Sequence, residues 1–148
     1  MKRTKNYGCA FGSYHKGVNP TADAMMALCL LALASDGKLK SKELEIMDQI
    51  VAMSPIFAEV KNARDYAASL AEAVAGKGRG EVIKEAASNL NSRLSETAYA
   101  LAVQVVTADG RVVSSEHRFL SEIRRALGVP GPLAGKINAV AAILNRGK

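Results

Sequence analysis

The sequence predicts an all-α fold, a compact bundle of about seven helices built from two repeated helical hairpins. Hydrophobic residues form 49% of the 148 residues, while aromatic residues form only 5% and tryptophan is absent. Alanine and the aliphatic residues therefore supply the core, a composition that favours packed helices over a β-sandwich. No segment alternates with period two for long enough to indicate a strand. Two nearly all-apolar segments are also related by an internal repeat.

The first hairpin contains two predicted helices. The first opens at Pro20-Thr21 with Thr21 as its cap, and its segment from Ala24 to Ala34 is apolar on every side. This pattern predicts a helix buried at the centre of the bundle, in which Cys29 is a small buried hydrophobic residue. Ser41 caps the second helix, which runs to Ser54-Pro55.

Two further helices connect the hairpins. The third spans about Ala58 to Ala75, and the fourth follows the glycine-rich segment 76–80. Their inner faces combine apolar residues at helical spacing. These residues are Tyr66, Ala67, Leu70, Val74, Val82, Ile83, Ala86, Ala87 and Leu90.

The second hairpin and a last helix complete the bundle. The fifth helix, from about Ser95 to Ala108, is again nearly all apolar, and Ser114 caps the sixth. The seventh follows Pro130 and Pro132. The apolar faces of the last two helices consist of Phe119, Leu120, Ile123 and Leu127, and of Leu133, Ile137, Val140 and Leu144.

A repeat of 73 residues relates the two hairpins. Asp36-Gly37 falls on Asp109-Gly110, and Glu43 falls on Glu116, so that each copy reads D-G-x-[LV]-x-S-x-E. A structural explanation suffices, because Asp-Gly forms a tight turn, serine caps the next helix and glutamate interacts with the positive end of the helix dipole. The spacing also matches part of an EF-hand loop, but neither copy has carboxylates at the first positions of such a loop. Each copy alone therefore predicts at most a weak oxygen-ligand site.

The direction in which the central helices pack decides whether the repeats form one site or two. Each helix is about 14 residues, roughly 21 Å, long. Antiparallel packing puts the acidic turns at opposite ends, where two carboxylates would bind a cation only feebly. Parallel packing brings Asp36, Glu43, Asp109 and Glu116 together, and a hard cation such as Ca²⁺, Mg²⁺ or Mn²⁺ then fits their oxygen atoms. The sequence leaves both arrangements open.

The repeated helix, acidic turn and Ser-x-Glu helix start resemble the tellurite-resistance protein B (TerB-like) family. The similarity extends from about residue 20 to 130. It rests on Ala-Ser-Asp-Gly at 34–37, Thr-Ala-Asp-Gly at 107–110, the seven helices and Arg-Ala-Leu-Gly-Val at 125–129. The resemblance implies a helical, non-enzymatic module that acts with membrane and cytoplasmic protein partners in a stress response including tellurite. It also implies that a metal ion is held by four acidic residues, Asp36, Glu43, Asp109 and Glu116.

The net charge of +6 is concentrated near the N-terminus, because residues 1–20 carry four basic residues and no acidic one. We therefore divide the chain into a basic N-terminal arm, residues 1–20, and a TerB-like helical domain, residues 21–148. Such an arm can contact an anionic membrane surface, whereas nucleic acid is disfavoured because no base-reading motif accompanies it. No apolar segment is long enough to span a bilayer, and no secretory signal is recognised. These features predict a cytoplasmic protein, at most peripheral to the inner face of the membrane.

Two alternatives to a cation-binding module stay open. One is a structural or protein-interaction bundle in which the repeated acids serve as turns and caps. The other is a basic-tailed adaptor for an anionic membrane or nucleic acid. No Ser/His/Asp or Cys/His arrangement indicates catalysis. His117 occupies the repeat position of Leu44, so we expect a partly buried structural histidine.

Overall fold

The computed structural model describes residues 19–33, 41–108 and 114–147. The helices in these residues are α1 (Pro20–Leu33), α2 (Ser41–Met53), α3 (Ala63–Val74), α4 (Arg79–Ser88), α5 (Ser92–Thr107), α6 (Ser114–Leu127) and α7 (Gly131–Leu144). A short 3-10 helix, Pro55–Phe57, lies between α2 and α3. The described residues contain no strand, which confirms the all-α prediction. None of their helices is long and apolar enough to cross a membrane.

Several predictions fall on residues that the structure does not describe. Residues 1–18, which form most of the basic arm, and the Asp36 and Asp109 turns all lie outside the described residues. The expectations for the arm and for the two turns therefore stay predictions. Helices α2 and α6 begin at Ser41 and Ser114, the residues that are predicted to cap them.

The two apolar helices of the repeat, α1 and α5, pack against each other at the centre of the bundle. Ten of the 14 residues of α1 are buried. Helix α1 also contacts α3 and α4, and α5 also contacts α6 and α7. Helix α4 connects the halves because it packs on both α1 and α6. These contacts confirm the central placement that the all-round apolar pattern predicts.

Asparagine side chains start three of the helices. The Oδ1 atoms of Asn19, Asn62 and Asn91 each accept a hydrogen bond from the backbone N–H three residues later, at 2.8, 2.9 and 2.8 Å. Helix α1 is therefore capped by Asn19 and not by Thr21. Helix α5 begins three residues earlier than predicted, and α3 begins five residues later because the 3-10 helix occupies the preceding segment. Asparagine competes well with serine and threonine as a cap, which explains the shifted boundaries.

A buried carboxyl group lies in the first turn of α1. Asp23 is fully buried, and its Oδ1 accepts a hydrogen bond of 2.6 Å from the Tyr66 hydroxyl of α3. The residue at its repeat position, Glu96, is exposed, so the repeat does not reproduce this contact. Cys29 is buried in the same helix, as predicted. Burial raises the pKa of its thiol to about 12, which keeps the thiol protonated and unreactive.

The last helix, α7, is less buried than its apolar pattern suggests. Leu133 and Ile137 pack on the core, but Val140 and Leu144 are 53% and 67% exposed. The buried residues of α7 are two alanines, Ala134 and Ala141. Helix α7 therefore approaches α5, its main neighbour, through small residues, and part of its apolar face stays in contact with solvent.

Candidate functional site

The carboxyl-terminal ends of α1 and α5 meet at one cavity of about 180 Å³. Ala32 and Leu33 at the end of α1 and Val105 and Val106 near the end of α5 line this cavity. Since the two helices pack against each other and end at the same cavity, they run in the same direction. The structure thus selects the parallel arrangement from the two that the sequence leaves open.

Two of the four predicted site residues lie at this cavity. Glu43 and Glu116 line it from the first turns of α2 and α6, and both residues are partly buried. They are 73 positions apart in the sequence, and the fold brings them to one place. The other two predicted site residues, Asp36 and Asp109, lie outside the described residues.

The lining of the cavity reproduces the internal repeat of the sequence. Residues 32, 33 and 43 correspond to residues 105, 106 and 116 at the repeat interval of 73, and all six line the cavity. Each half of the molecule therefore contributes the end of one central helix and one glutamate. In the sequence, Asp36 and Asp109 each follow the last of these helix residues, Leu33 and Val106, by three positions.

The ends of α1 and α5 make this cavity electrostatically favourable for a cation. The last carbonyl groups of a helix have no partner within the helix, and the helix dipole places roughly half a negative charge there. Neither α1 nor α5 carries a basic residue in its last turn. Carbonyl and carboxylate oxygens are the ligands that hard divalent cations prefer. The surroundings of Glu43 and Glu116 thus have the chemistry of a weak cation site.

Lys42 is a cavity residue that the sequence pattern does not reveal. Its side chain lines the cavity beside Glu43, although the residue as a whole is exposed. A positive charge at this position lowers the negative potential at the cavity. The repeat gives no signal for this role, because the residue at the corresponding position is Ser115.

The described part of the cavity supplies two carboxylates. Within residues 19–33, 41–108 and 114–147, no group of three or more His, Cys, Asp or Glu residues is placed to hold a metal ion. His117, the neighbour of Glu116, is exposed and does not line this cavity, so the expectation of partial burial is wrong. A larger ligand set therefore depends on the two aspartates of the turns.

The fold and this cavity define a class of protein, a helical bundle of two repeated hairpins whose acidic helix starts gather at one end. A sequence model of the family described as Tellurite resistance protein TerB matches residues 22–132. Because the match covers most of the chain, the protein belongs to the TerB family, which is associated with tellurite resistance. This confirms the resemblance found in the sequence. No curated protein and no solved structure matches the chain.

Proposed function

We propose that this protein is a non-enzymatic TerB module that holds a divalent cation between its two repeats and acts through protein partners in a tellurite or stress response. One observation carries the proposal: the repeat-related residues Glu43 and Glu116 line the same cavity at the ends of the central helices. A cation bound there would connect the two halves of the molecule. The aspartates of the turns, Asp36 and Asp109, would complete its ligands.

The composition of the cavity lining supports a binding role over a catalytic one. Its described residues offer two carboxylates, one ammonium group and aliphatic side chains. Nucleophilic catalysis by a hydroxyl or thiol requires such a group beside a base, and no serine, threonine, tyrosine or cysteine is among these described lining residues. Oxygen ligands of this kind suit Ca²⁺, Mg²⁺ or Mn²⁺. With so few charged ligands, we expect a dissociation constant no tighter than ~10⁻⁴ M.

A cation titration followed by thermal unfolding tests this proposal. A cation at ten times its dissociation constant stabilises the folded protein by about 1.4 kcal/mol, which raises the melting temperature by roughly 3–6 °C for a domain of this size. The double substitutions Glu43→Gln with Glu116→Gln, and Asp36→Asn with Asp109→Asn, should each remove this rise and leave the helix content unchanged. Lys42→Met should strengthen cation binding by about two- to fivefold, because it removes a nearby positive charge.

A charge-matched control separates site binding from general electrostatics. Glu45 of α2 and Glu96 of α5 are exposed and do not line the cavity. Glu45→Gln with Glu96→Gln changes the net charge by the same amount as the double glutamate variant of the site, and should retain the full rise. If wild-type protein shows no cation-dependent shift at millimolar concentrations, the acidic turns are structural. Their glutamates would then act only through the helix dipoles.

We extend the proposal to location and partners. The four basic residues of the arm, Lys2, Arg3, Lys5 and Lys16, occur in a segment without acidic residues. Such charge favours an anionic membrane surface, and the proposed place of the module is the cytoplasmic face of a membrane. Binding of the full chain to vesicles with anionic lipid should weaken steeply with salt and be lost when the four residues are changed to Gln. Binding that survives both changes would contradict this part of the proposal.

A further inference from the structure

A second cavity, of about 520 Å³, lies between α5, α6 and α7. It shares no lining residue with the acidic cavity. Val103 and Thr107 of α5 line it, whereas Val105 and Val106 line the acidic cavity, so the two cavities lie on different faces of α5. Its volume is within the range of small-molecule sites in proteins, ~300–1,000 Å³. Nothing in the cation proposal uses this cavity.

Small residues of α7 create this space. Four of the five α7 residues that line the cavity are glycine or alanine, namely Gly131, Ala134, Gly135 and Ala142, and the fifth is Asn138. A Cβ atom added at Gly135 would meet no atom within 4 Å. Larger side chains at these positions would occupy part of this space. Because Gly131, Gly135 and Ala142 are exposed, the cavity opens to solvent along this side of α7.

The cavity is lined by a positively charged side chain on one side and by apolar side chains on another. Arg124 of α6 lines the cavity, and its Nη1 donates a hydrogen bond of 3.0 Å to the carbonyl oxygen of Val129. This bond fixes the guanidinium group and leaves further N–H donors for a ligand. No aspartate or glutamate occurs among the lining residues that the structure describes, while Val103 and Leu120, 1% and 7% exposed, supply an apolar wall.

Polar groups at the cavity are already ordered by the protein. The Tyr99 hydroxyl donates a hydrogen bond of 3.2 Å to Oδ1 of Asn138, and the hydroxyl of Thr107 accepts one of 3.0 Å from Asn145. Tyr99, Thr107 and Asn138 line the cavity. Because these groups are held in place before a ligand enters, they can orient it with little further loss of conformational entropy.

We propose that this cavity binds a small organic carboxylate, whose head group pairs with Arg124 and whose apolar body lies against Val103 and Leu120. Guanidinium and carboxylate groups form two parallel hydrogen bonds, a geometry that a lysine cannot reproduce. Because the described part of the lining has no acidic residue, it favours an anion over a cation. The apolar wall favours an organic body over a bare inorganic anion.

Sodium octanoate is the probe for this proposal, and its binding to the full chain is measured by calorimetry and by amide chemical shifts. We expect saturable binding with a dissociation constant of ~1 mM, as is usual for a ligand of about ten heavy atoms. Inorganic phosphate, which lacks the apolar body, and 1-octanol, which lacks the charge, should each bind at least about tenfold more weakly.

Two matched pairs of variants locate the binding. Arg124→Gln should weaken octanoate binding by about tenfold, whereas Arg125→Gln, on the same helix but not lining the cavity, should leave it unchanged. Gly135→Leu should fill the cavity and abolish binding. Gly80→Leu in α4, where an added Cβ also meets no atom within 4 Å, should retain it. Thermal unfolding of each variant confirms that it is folded.

Three results would overturn the proposal. The first is the absence of saturable octanoate binding to wild-type protein. The second is binding that persists unchanged in both Arg124→Gln and Gly135→Leu, which would place the probe elsewhere. The third is phosphate binding as strong as octanoate binding, which would make the site one for free inorganic anions. None of these outcomes depends on whether the acidic cavity binds a cation.

Discussion

The two halves of this molecule share a repeated hairpin, but the helices that pack on them, α3 and α7, differ in how much of their apolar surface is buried. In the first half, α3 packs on α1, and the buried residues of α3 are Tyr66, Ala67, Leu70 and Val74. In the second half, α7 packs on α5, but only Ala134 and Ala141 of α7 are buried. Exposed apolar residues remain on α7, namely Val140, Ile143 and Leu144.

This difference shows that the repeat determines how the central helices are arranged, while the size of the side chains on the surrounding helices determines where a cavity remains. The tyrosine, leucine and valine of α3 fill the region beside α1, and α4 covers another side of α1. The glycines and alanines of α7 leave a cavity of about 520 Å³ beside α5. The cavity with room for a small organic molecule therefore lies in the second half.

The largest difference between the halves should appear when one leucine of α3 and one leucine of α7 are each replaced by alanine. Leu70 of α3 is fully buried and Leu144 of α7 is 67% exposed. Leu70→Ala should lower the free energy of unfolding by about 2–5 kcal/mol, because it removes buried methyl groups and leaves a void. Leu144→Ala should change it by less than about 0.5 kcal/mol. Chemical denaturation of both variants measures this, and equal losses would show that the α7 face is covered in solution.

The two tyrosine hydroxyl groups provide a second, smaller contrast. Tyr66 donates a hydrogen bond of 2.6 Å to the buried Asp23, whereas Tyr99 donates one of 3.2 Å to the exposed Asn138. Tyr66→Phe should lower the free energy of unfolding by about 1–3 kcal/mol, because a buried carboxyl group loses a donor that water cannot replace. Tyr99→Phe should lower it by less than about 1 kcal/mol. The same denaturation measurement tests both, and a Tyr99→Phe loss as large as that of Tyr66→Phe would remove the distinction.

The smallest effect is expected from glycine in α7. Gly135→Ala should raise the free energy of unfolding by about 0.5–1 kcal/mol, because alanine favours the helix and the added Cβ meets no atom within 4 Å. Gly128, which follows α6, has φ of +72°, so Gly128→Ala should destabilise the protein by about 1 kcal/mol. Melting temperatures would therefore shift in opposite directions. A decrease for Gly135→Ala would mean that the space beside α7 is filled in solution.

Local sequence patterns predict some features of this chain better than others. The all-round apolar pattern of α1 correctly predicts a central helix, because such a helix cannot face water on any side. The start of the same helix at Pro20 is also predicted correctly, but its capping residue is not, since Asn19 and Thr21 are both able to cap and only the backbone geometry selects between them. For α7, the spacing of Val140 and Leu144 predicts an apolar face correctly but not its exposure. Spacing defines a face, whereas burial requires a neighbouring element to cover it.

The sequence by itself determined the helices, the internal repeat and the presence of Glu43 and Glu116 at two equivalent helix starts, because these depend on neighbouring residues and on spacing. Only the tertiary structure decided that the two glutamates line one cavity, since α1 and α5 could have packed in either direction with the same apolar surface. It also decided that Arg124 lies at a cavity whose described lining contains no acidic residue. That cavity is a gap between α5, α6 and α7, and a gap depends on the positions of three helices at once, which no local pattern records.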